Sequence, residues 1–184
     1  MVNEALRRLV SDLEAHRIEY CVIGAVALNQ HGYQRFTTDI DLLMTPEGLE
    51  TFRKELVGRG YRPAFNGATK KFRETTQNVP IEIITSGEYP GDGKPKSVRF
   101  HDPVEHCVVI DGIKTVDLAR LIELKLASGM TGLARLKDLA DVQELIRVRQ
   151  LEAVFAEQLD PFVADKYREL HAEVAAANAQ EERE

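Results

Sequence analysis

The stretch that decides the fold of this 184-residue chain is VIGAVALNQHGYQRFTTDIDLL, residues 22–43. Near its end lies Asp39–Ile40–Asp41, on a segment whose pattern predicts a strand over Thr37–Met44. Because successive strand side chains point to opposite faces, Asp39 and Asp41 share one face, roughly 7 Å apart, and Ile40 faces the other way. Neighbouring carboxylates repel each other, and Mg²⁺ held by carboxylates and substrate phosphates removes that repulsion. The stretch therefore predicts metal-assisted phosphate chemistry.

Composition limits the class of protein. The chain is 43% hydrophobic with a net charge of −6, which suits a globular domain with a core and argues against binding nucleic acid through overall positive charge. Cys21 and Cys107 lie in apolar runs without metal-ligand spacing, so we expect reduced core cysteines of a cytoplasmic protein. No apolar run is long enough to span a membrane, and residues 1–16 are too charged for a signal peptide. We therefore expect a cytoplasmic protein without a membrane partner.

Hydrophobic periodicity predicts a β-rich first part and an all-helical last part. In the first part we expect helices over 3–16, 25–30 and 45–57, and extended segments over 19–23, 37–44, 61–65, 70–75, 79–85, 98–100, 106–110 and 113–115. In the last part the pattern predicts helices over 117–128, 133–149, 151–159 and 161–177. This order predicts an α+β fold with a core domain over 1–116, a C-terminal helical subdomain over 117–177 and a disordered tail over 178–184.

Two further positions are candidates for a phosphate site. Gly24 ends a predicted strand and Ala25 opens a helix, so backbone N–H groups there could receive a triphosphate; a glycine that simply ends a strand is an equally common arrangement. Glu82 lies in the apolar strand Val79–Thr85, where a lone acid is costly to bury unless it is paired or bound to a metal. It is the candidate third carboxylate of a two-metal site, and a solvated sheet face is the alternative.

Other polar residues have simpler interpretations. Lys70, Lys71 and Arg73 fit either triphosphate binding or a solvated strand face. The five histidines show no ligand spacing, so we expect ordinary surface or hydrogen-bonded side chains at positions 16, 31, 101, 106 and 171.

Together the glycine and the carboxylates resemble the polymerase-beta-like nucleotidyltransferases over roughly residues 18–148. Asp39 and Asp41 align with the metal-binding pair of that family, Gly24 with its first glycine and Glu82 with its third acid. The resemblance implies a mixed sheet flanked by helices, a two-metal Mg²⁺ site on the three carboxylates and an NTP substrate. It also implies that the nucleotide is bound by Gly24, Ala25, Thr38 and Lys125.

The finer pattern is similar to small bacterial and AbiEii-toxin-like members of the family. It consists of Arg–x–Thr–x–Asp–x–Asp at 35–41 and of LIELKL and RLKDLADV at 121–126 and 135–142. The resemblance implies that Lys125 points toward the nucleotide phosphates and that the polar residues of 135–141 order the helices or line the cleft. From the residues alone, Asp138 and Asp141 either ligate a metal or pair with Lys137, Arg135 or a helix terminus, and pairing is the favoured interpretation.

The resulting functional hypothesis is an enzyme that moves an NMP group from an NTP to an acceptor hydroxyl. The candidate acceptors are small molecules, RNA such as tRNA, and proteins, and a toxin-like role would add a cognate antitoxin as partner. The alternative is a catalytically weak or inactive nucleotide-binding or protein-interaction member, because Ala25 stands where the family usually has Gly or Ser. The third acid is Glu82, where the family more often has Asp.

Overall fold

The computed structural model describes residues 1–181. Its helices and strands follow in the order α1 (Val2–Ala15), β1 (Cys21–Ile23), α2 (Gly24–Gln30), β2 (Ile40–Met44), α3 (Pro46–Glu55), β3 (Tyr61–Pro63), β4 (Lys71–Glu74), β5 (Pro80–Thr85), β6 (Cys107–Ile110), β7 (Ile113–Val116), α4 (Leu118–Thr131), α5 (Leu136–Arg149) and α6 (Pro161–Glu181). A short 3₁₀ helix, Ala153–Gln158, lies between α5 and α6.

The chain divides into two compact units. The first comprises Met1–Gln30, Gln34–Glu88 and Phe100–Asp117, and the second comprises His31–Tyr33, Tyr89–Arg99 and the helices from Leu118 onward. The sequence predicted two continuous domains that meet near Val116. The structure instead assigns two short segments of the first part to the helical unit, because their contacts are with distant residues that no local pattern reveals.

The first unit is built on one mixed sheet of seven strands in the order β3-β4-β5-β2-β1-β7-β6. In its centre β2 pairs antiparallel with β1 and parallel with β5, and β1 also pairs parallel with β7. Hairpin-type antiparallel pairs extend both edges. The predicted α+β class with a mixed sheet flanked by helices is therefore confirmed.

One face of this sheet carries the core of the first unit. Ile40 and Leu42 of β2 are fully buried there, in one cluster with apolar residues of α1 and α3. Phe52 anchors the cluster through tilted ring contacts with Tyr61 and Phe72, at centroid distances of 5.4 and 4.9 Å. Because Ile40 and Leu42 occupy the core face, the alternation of strand side chains directs Asp41 to the opposite face.

Local sequence signals explain where several elements begin. The Thr45 hydroxyl accepts a hydrogen bond from the Gly48 N–H at 3.0 Å, and Pro46 occupies the first turn of α3, so the predicted helix start is confirmed. Asp111 and Gly112 have φ values of 50° and 78°, the left-handed pair that a tight hairpin between β6 and β7 requires.

The second unit packs α4, α5 and α6 against one another. Its buried apolar residues recur at helical spacing, for example Leu121, Ile122 and Leu126 on α4 and Val142, Leu145 and Ile146 on α5. Helix α6 continues through Glu181, so the predicted disorder from residue 178 is wrong over 178–181, where Ala, Gln and Glu are strong helix formers. Residues 182–184 of that predicted tail lie outside the described residues.

Three other expectations differ from the structure. Strand β2 begins at Ile40, so Asp39 directly precedes the strand. Residues 98–100 form no strand, because only Phe100 makes backbone hydrogen bonds, with Gly87 and Glu88. Cys107 is half-buried because it lies on an edge strand, whereas Cys21 is buried as expected, and both thiols are free. Over residues 1–181, no helix combines the length and the apolar character that crossing a bilayer demands.

Candidate active site

Gly24 and Asp41 meet where β1 ends. Ile23, the last residue of β1, is the antiparallel partner of Asp41 on β2. Gly24, which follows Ile23, is therefore brought beside the carboxylate. Gly24 has a φ of +64°, and a Cβ placed on it would lie 2.0 Å from Oδ2 of Asp41. Only glycine fits here, because any other residue would be strained in its backbone and would displace the carboxylate.

Glu82 lies beside Asp41 on the neighbouring strand. The two residues are direct partners in the parallel register of β2 and β5. Their flanking residues Ile40, Leu42, Ile81 and Ile83 are buried, whereas both acids are partly exposed on the opposite face. Adjacent strands are about 4.8 Å apart, so this register gathers two carboxylates on one solvent-accessible patch of the sheet.

Asp39 completes the row at the start of β2. Its Oδ1 accepts a hydrogen bond of 2.7 Å from the Thr37 hydroxyl, which fixes the carboxylate just before the strand. Thr38, a predicted nucleotide-binding residue, is exposed, and Ala25 is half-buried in the first turn of α2. Thr37 was not among the predicted site residues; its signal in the sequence is the Thr-x-Asp spacing, in which a hydroxyl bonds to a residue two positions away.

The basic residues near the carboxylates have protein partners. Lys71 is opposite Glu82 in the β4–β5 register, and its Nζ lies 3.6 Å from Oε1 of Glu82. Lys70 donates to the hydroxyl of Thr85 at 3.1 Å and to the carboxylate of Glu88. Burial alone would raise the pKa of Glu88, but the hydrogen bonds from Lys70 and Thr85 hold it below its usual range. Both lysines therefore pair with carboxylates of the protein, and triphosphate binding by them stays a prediction.

Lys125 lies in the second unit, within a buried polar cluster between α4 and α5. Its Nζ is 2.9 Å from Oδ1 of Asp138 and 2.7 Å from Oδ2 of Asp141. Ser128 and Arg135 complete the cluster by contacting Oδ2 of Asp138 at 2.8 and 2.7 Å. The expected pairing of Asp138 with Arg135 is confirmed. Phosphate binding by Lys125 stays a prediction.

The cations of this cluster control the ionisation of Asp138. Burial alone would raise the pKa of this carboxyl, but the charge of Lys125 and the hydrogen bonds from Lys125 and Ser128 outweigh it, so the pKa lies below the ordinary value of 3.8. Asp138 is therefore ionised at neutral pH although only 1% of it is exposed.

The carboxylate patch suits a hard cation such as Mg²⁺. Its donors are carboxylate oxygens, the ligand type that Mg²⁺ prefers, and Gly24 leaves room for the Asp41 carboxylate that a side chain would fill. The carboxylates are not the most tightly gathered ligand set within residues 1–181. That set is His101, Glu105 and His106, whose ligand atoms all lie within 4.8 Å of one another. Sequence spacing did not identify it.

Comparison with known proteins rests on structure. No family model matches the chain, and no curated protein matches it in sequence. A proposed nucleotidyltransferase from H. pylori is similar at TM-score 0.52 and 15% identity, with 98% of this chain and 95% of that chain covered. The antibiotic-resistance factor ANT(2'')-Ia is similar in its solution structure at TM-score 0.56 and 12% identity, with coverages of 98% and 96%.

A crystal structure of ANT(2'')-Ia in complex with adenylyl-2''-tobramycin gives the same result. Its TM-score is 0.55 at 11% identity, with 94% of this chain and 96% of that chain covered. At such identities the likeness establishes architecture and leaves substrates undetermined. The chain therefore has the nucleotidyltransferase fold.

Proposed function

We propose that this protein transfers a nucleoside monophosphate from an NTP to an acceptor hydroxyl. The observation that carries the proposal is the close approach of Gly24 to Asp41, with Glu82 in register beside Asp41. A glycine at φ +64° makes room for the carboxylate, and any residue with a side chain would be strained there, so this position ties the glycine to the carboxylate patch.

Each residue has a role in this proposal. Asp39 and Asp41, joined by Glu82, would hold divalent cations, and Mg²⁺ bound there would screen the triphosphate charge and lower the pKa of the acceptor hydroxyl. Glu82 would accept the proton of the acceptor hydroxyl. The backbone N–H groups of Gly24 and Ala25 lie in the first turn of α2, where N–H groups have no partner within their own helix, and in our proposal they would donate to phosphate oxygens.

The ion pair between Glu82 and Lys71 favours a second candidate function. The ammonium group of Lys71 competes with any cation for the Glu82 carboxylate, so the protein could bind an NTP without transferring its NMP group. The second candidate is therefore a nucleotide-binding protein of this fold with weak activity or none. It predicts NTP binding without pyrophosphate release.

The acceptor in our proposal is a hydroxyl of a small molecule. The support is the likeness to ANT(2'')-Ia, whose complex contains an adenylylated aminoglycoside. The AbiEii-toxin-like role and a cognate antitoxin depend on the sequence motifs alone.

The test is a thermal-unfolding panel of the four NTPs with and without Mg²⁺. Ligand at one hundred times its Kd adds about 2.7 kcal/mol to the free energy of unfolding, which raises the Tm of a chain of this size by about 5–10 °C. We expect that rise for at least one NTP with Mg²⁺ and its loss in Asp41→Asn. The control is Asp165→Asn, whose carboxylate is 98% exposed in the helical unit.

The same preparations are then assayed for pyrophosphate release with aminoglycosides and other polyols. Release that disappears in Asp41→Asn supports transfer. A Tm rise without release supports the second candidate, and no rise with any NTP contradicts both functions.

A further inference from the structure

A second ligand cluster lies in the first unit, outside the carboxylate patch. It consists of His101, Glu105 and His106, which lie in the segment that connects β5 to β6. Their ligand atoms lie within 4.8 Å of one another. The imidazoles of His101 and His106 meet edge to face, with a centroid distance of 4.8 Å and an interplanar angle of 76°. Nδ1 of His101 is 3.7 Å from Oε2 of Glu105. We propose that His101, Glu105 and His106 form a binding site for a divalent transition metal of the zinc class.

The spacing of these atoms is close to what such an ion requires. Zn²⁺ binds imidazole nitrogen and carboxylate oxygen at about 2.0–2.2 Å, so two ligand atoms on a tetrahedral ion lie about 3.4 Å apart. The separation of 3.7 Å between His101 and Glu105 exceeds that value only slightly. All three side chains are partly exposed and reach the solvent, so small rotations complete the site without moving the backbone.

The backbone around the cluster is held in place by hydrogen bonds. Glu105 donates its N–H to the carbonyl of Asp102 at 3.1 Å, which closes the turn that brings Glu105 back over His101. The N–H of Asp117 donates to the carbonyl of His106 at 2.9 Å, which ties His106 to the end of β7. Two of the three side chains are therefore fixed at their backbones, Glu105 by the turn and His106 by the edge hairpin of the sheet.

Asp117 is the positioning residue of this site. Its Oδ2 lies 3.7 Å from Nδ1 of His106. In metal sites the second ring nitrogen of a ligating histidine commonly faces a carboxylate, which fixes the tautomer and makes the ligating nitrogen more basic. With Nδ1 of His106 directed to Asp117, Nε2 is the nitrogen that remains for the ion.

Donor chemistry distinguishes this site from the carboxylate patch. Two imidazoles with one carboxylate favour Zn²⁺, Co²⁺ or Ni²⁺, whereas oxygen-only donors favour Mg²⁺. The two sites share no residue, so they can be tested independently.

The test is titration of the full chain with Zn²⁺ by calorimetry and with Co²⁺ by visible absorption. We expect one ion per chain, loss of that binding in His101→Gln/His106→Gln, and a weakening of about 10–100-fold in Asp117→Asn. The Glu105→Gln variant, changed at an exposed position, gives a second measurement if the double variant is unstable. It should also weaken binding.

Three controls identify the ligands. His16→Gln alters an exposed histidine that directly follows α1, and this variant should bind Zn²⁺ as the wild type does. Cys107→Ser should also bind normally and should leave the Co²⁺ spectrum unchanged, because we assign no thiolate ligand. Asp39→Asn/Asp41→Asn should keep the Zn²⁺ site while losing the response to Mg²⁺ and NTP. Unchanged Zn²⁺ affinity in both the double-histidine and Glu105→Gln variants, or no Zn²⁺ binding by the wild type, would overturn the proposal.

Discussion

Replacing Gly24 by Ala should damage the carboxylate patch more than the stability of the fold. The new Cβ would lie 2.0 Å from Oδ2 of Asp41 and 2.8 Å from its Cγ. Carbon and oxygen atoms in contact are more than 3 Å apart, so the carboxylate must move by about 1 Å or more. A displacement of that size at a reacting centre typically costs about 100-fold in rate.

The effect on stability has two parts. Holding alanine at a φ of +64° costs about 1–2 kcal/mol, and rotating Asp41 away from its preferred rotamer costs about 0.5–1.5 kcal/mol more. Alanine also lowers the conformational entropy of the unfolded chain, which raises the free energy of unfolding by about 0.4–1 kcal/mol and offsets part of this cost. We therefore expect Gly24→Ala to lower the free energy of unfolding by about 0.5–3 kcal/mol.

Gly112→Ala is the matched control. Gly112 has a similar φ of +78° in the same unit, but an added Cβ would meet nothing within 4 Å. The two variants share the backbone strain and differ in the contact with Asp41. Thermal unfolding and pyrophosphate release measured on both variants separate these effects. If Gly24→Ala loses no more stability than Gly112→Ala and keeps full activity, the role that we assign to the Gly24–Asp41 contact is refuted.

Three further substitutions and one change of pH test contacts described above. Lys125→Met should lower the free energy of unfolding by about 3–5 kcal/mol in chemical denaturation, because it removes the ammonium group that two buried carboxylates share. Since the pKa of Asp138 is lower in the folded protein, stability should fall in acid titrations below about pH 4, where the unfolded carboxyl takes up its proton first. Glu82→Gln should change the free energy of unfolding by less than about 1 kcal/mol, because its ion pair is exposed, yet abolish transfer. Thr45→Ala should cost about 1 kcal/mol through loss of the α3 cap.

Each of these changes has a nearby control. Lys137→Met removes an exposed cation of α5 and should leave stability nearly unchanged. Lys71→Ala removes the partner of Glu82 and should keep transfer if Glu82 is the functional member of the pair. Thr51→Ala removes an exposed hydroxyl from the interior of α3 and should cost less than Thr45→Ala. Equal effects within any of these pairs would contradict the corresponding assignment.

Local patterns in the sequence were sufficient for much of the fold. The alternation of Asp39, Ile40, Asp41 and Leu42 correctly separated a core face from a polar face, because strand side chains have a fixed period of two. The cap at Thr45 was equally local, since it involves residues within one turn. Elements whose evidence lies within about ten residues were therefore predictable.

Non-local contacts were not predictable in the same way. Nothing near Glu82 in sequence indicates that it pairs with Asp41, because register between distant strands depends on the whole sheet. His101 and His106 showed no ligand spacing because a turn, rather than a helix, brings their rings together. Lys125 was predicted from the family resemblance alone, and its two carboxylate partners follow from the packing of α4 on α5.

The parallel pairing of β2 with β5 has a consequence for the order of folding. Helix α3 and strands β3 and β4 all lie between these two partners in sequence, so a long segment must be closed before Glu82 reaches Asp41. Closing a long segment costs more chain entropy than pairing strands that are neighbours in sequence. The β2–β5 pairing therefore forms more slowly than the antiparallel hairpins. During synthesis, a chain that has left the ribosome only through β4 therefore has Gly24 and Asp41 but lacks the third acid. In our proposal nucleotide binding needs Glu82, so a nucleotide stabilises the finished sheet and none of the earlier folding steps.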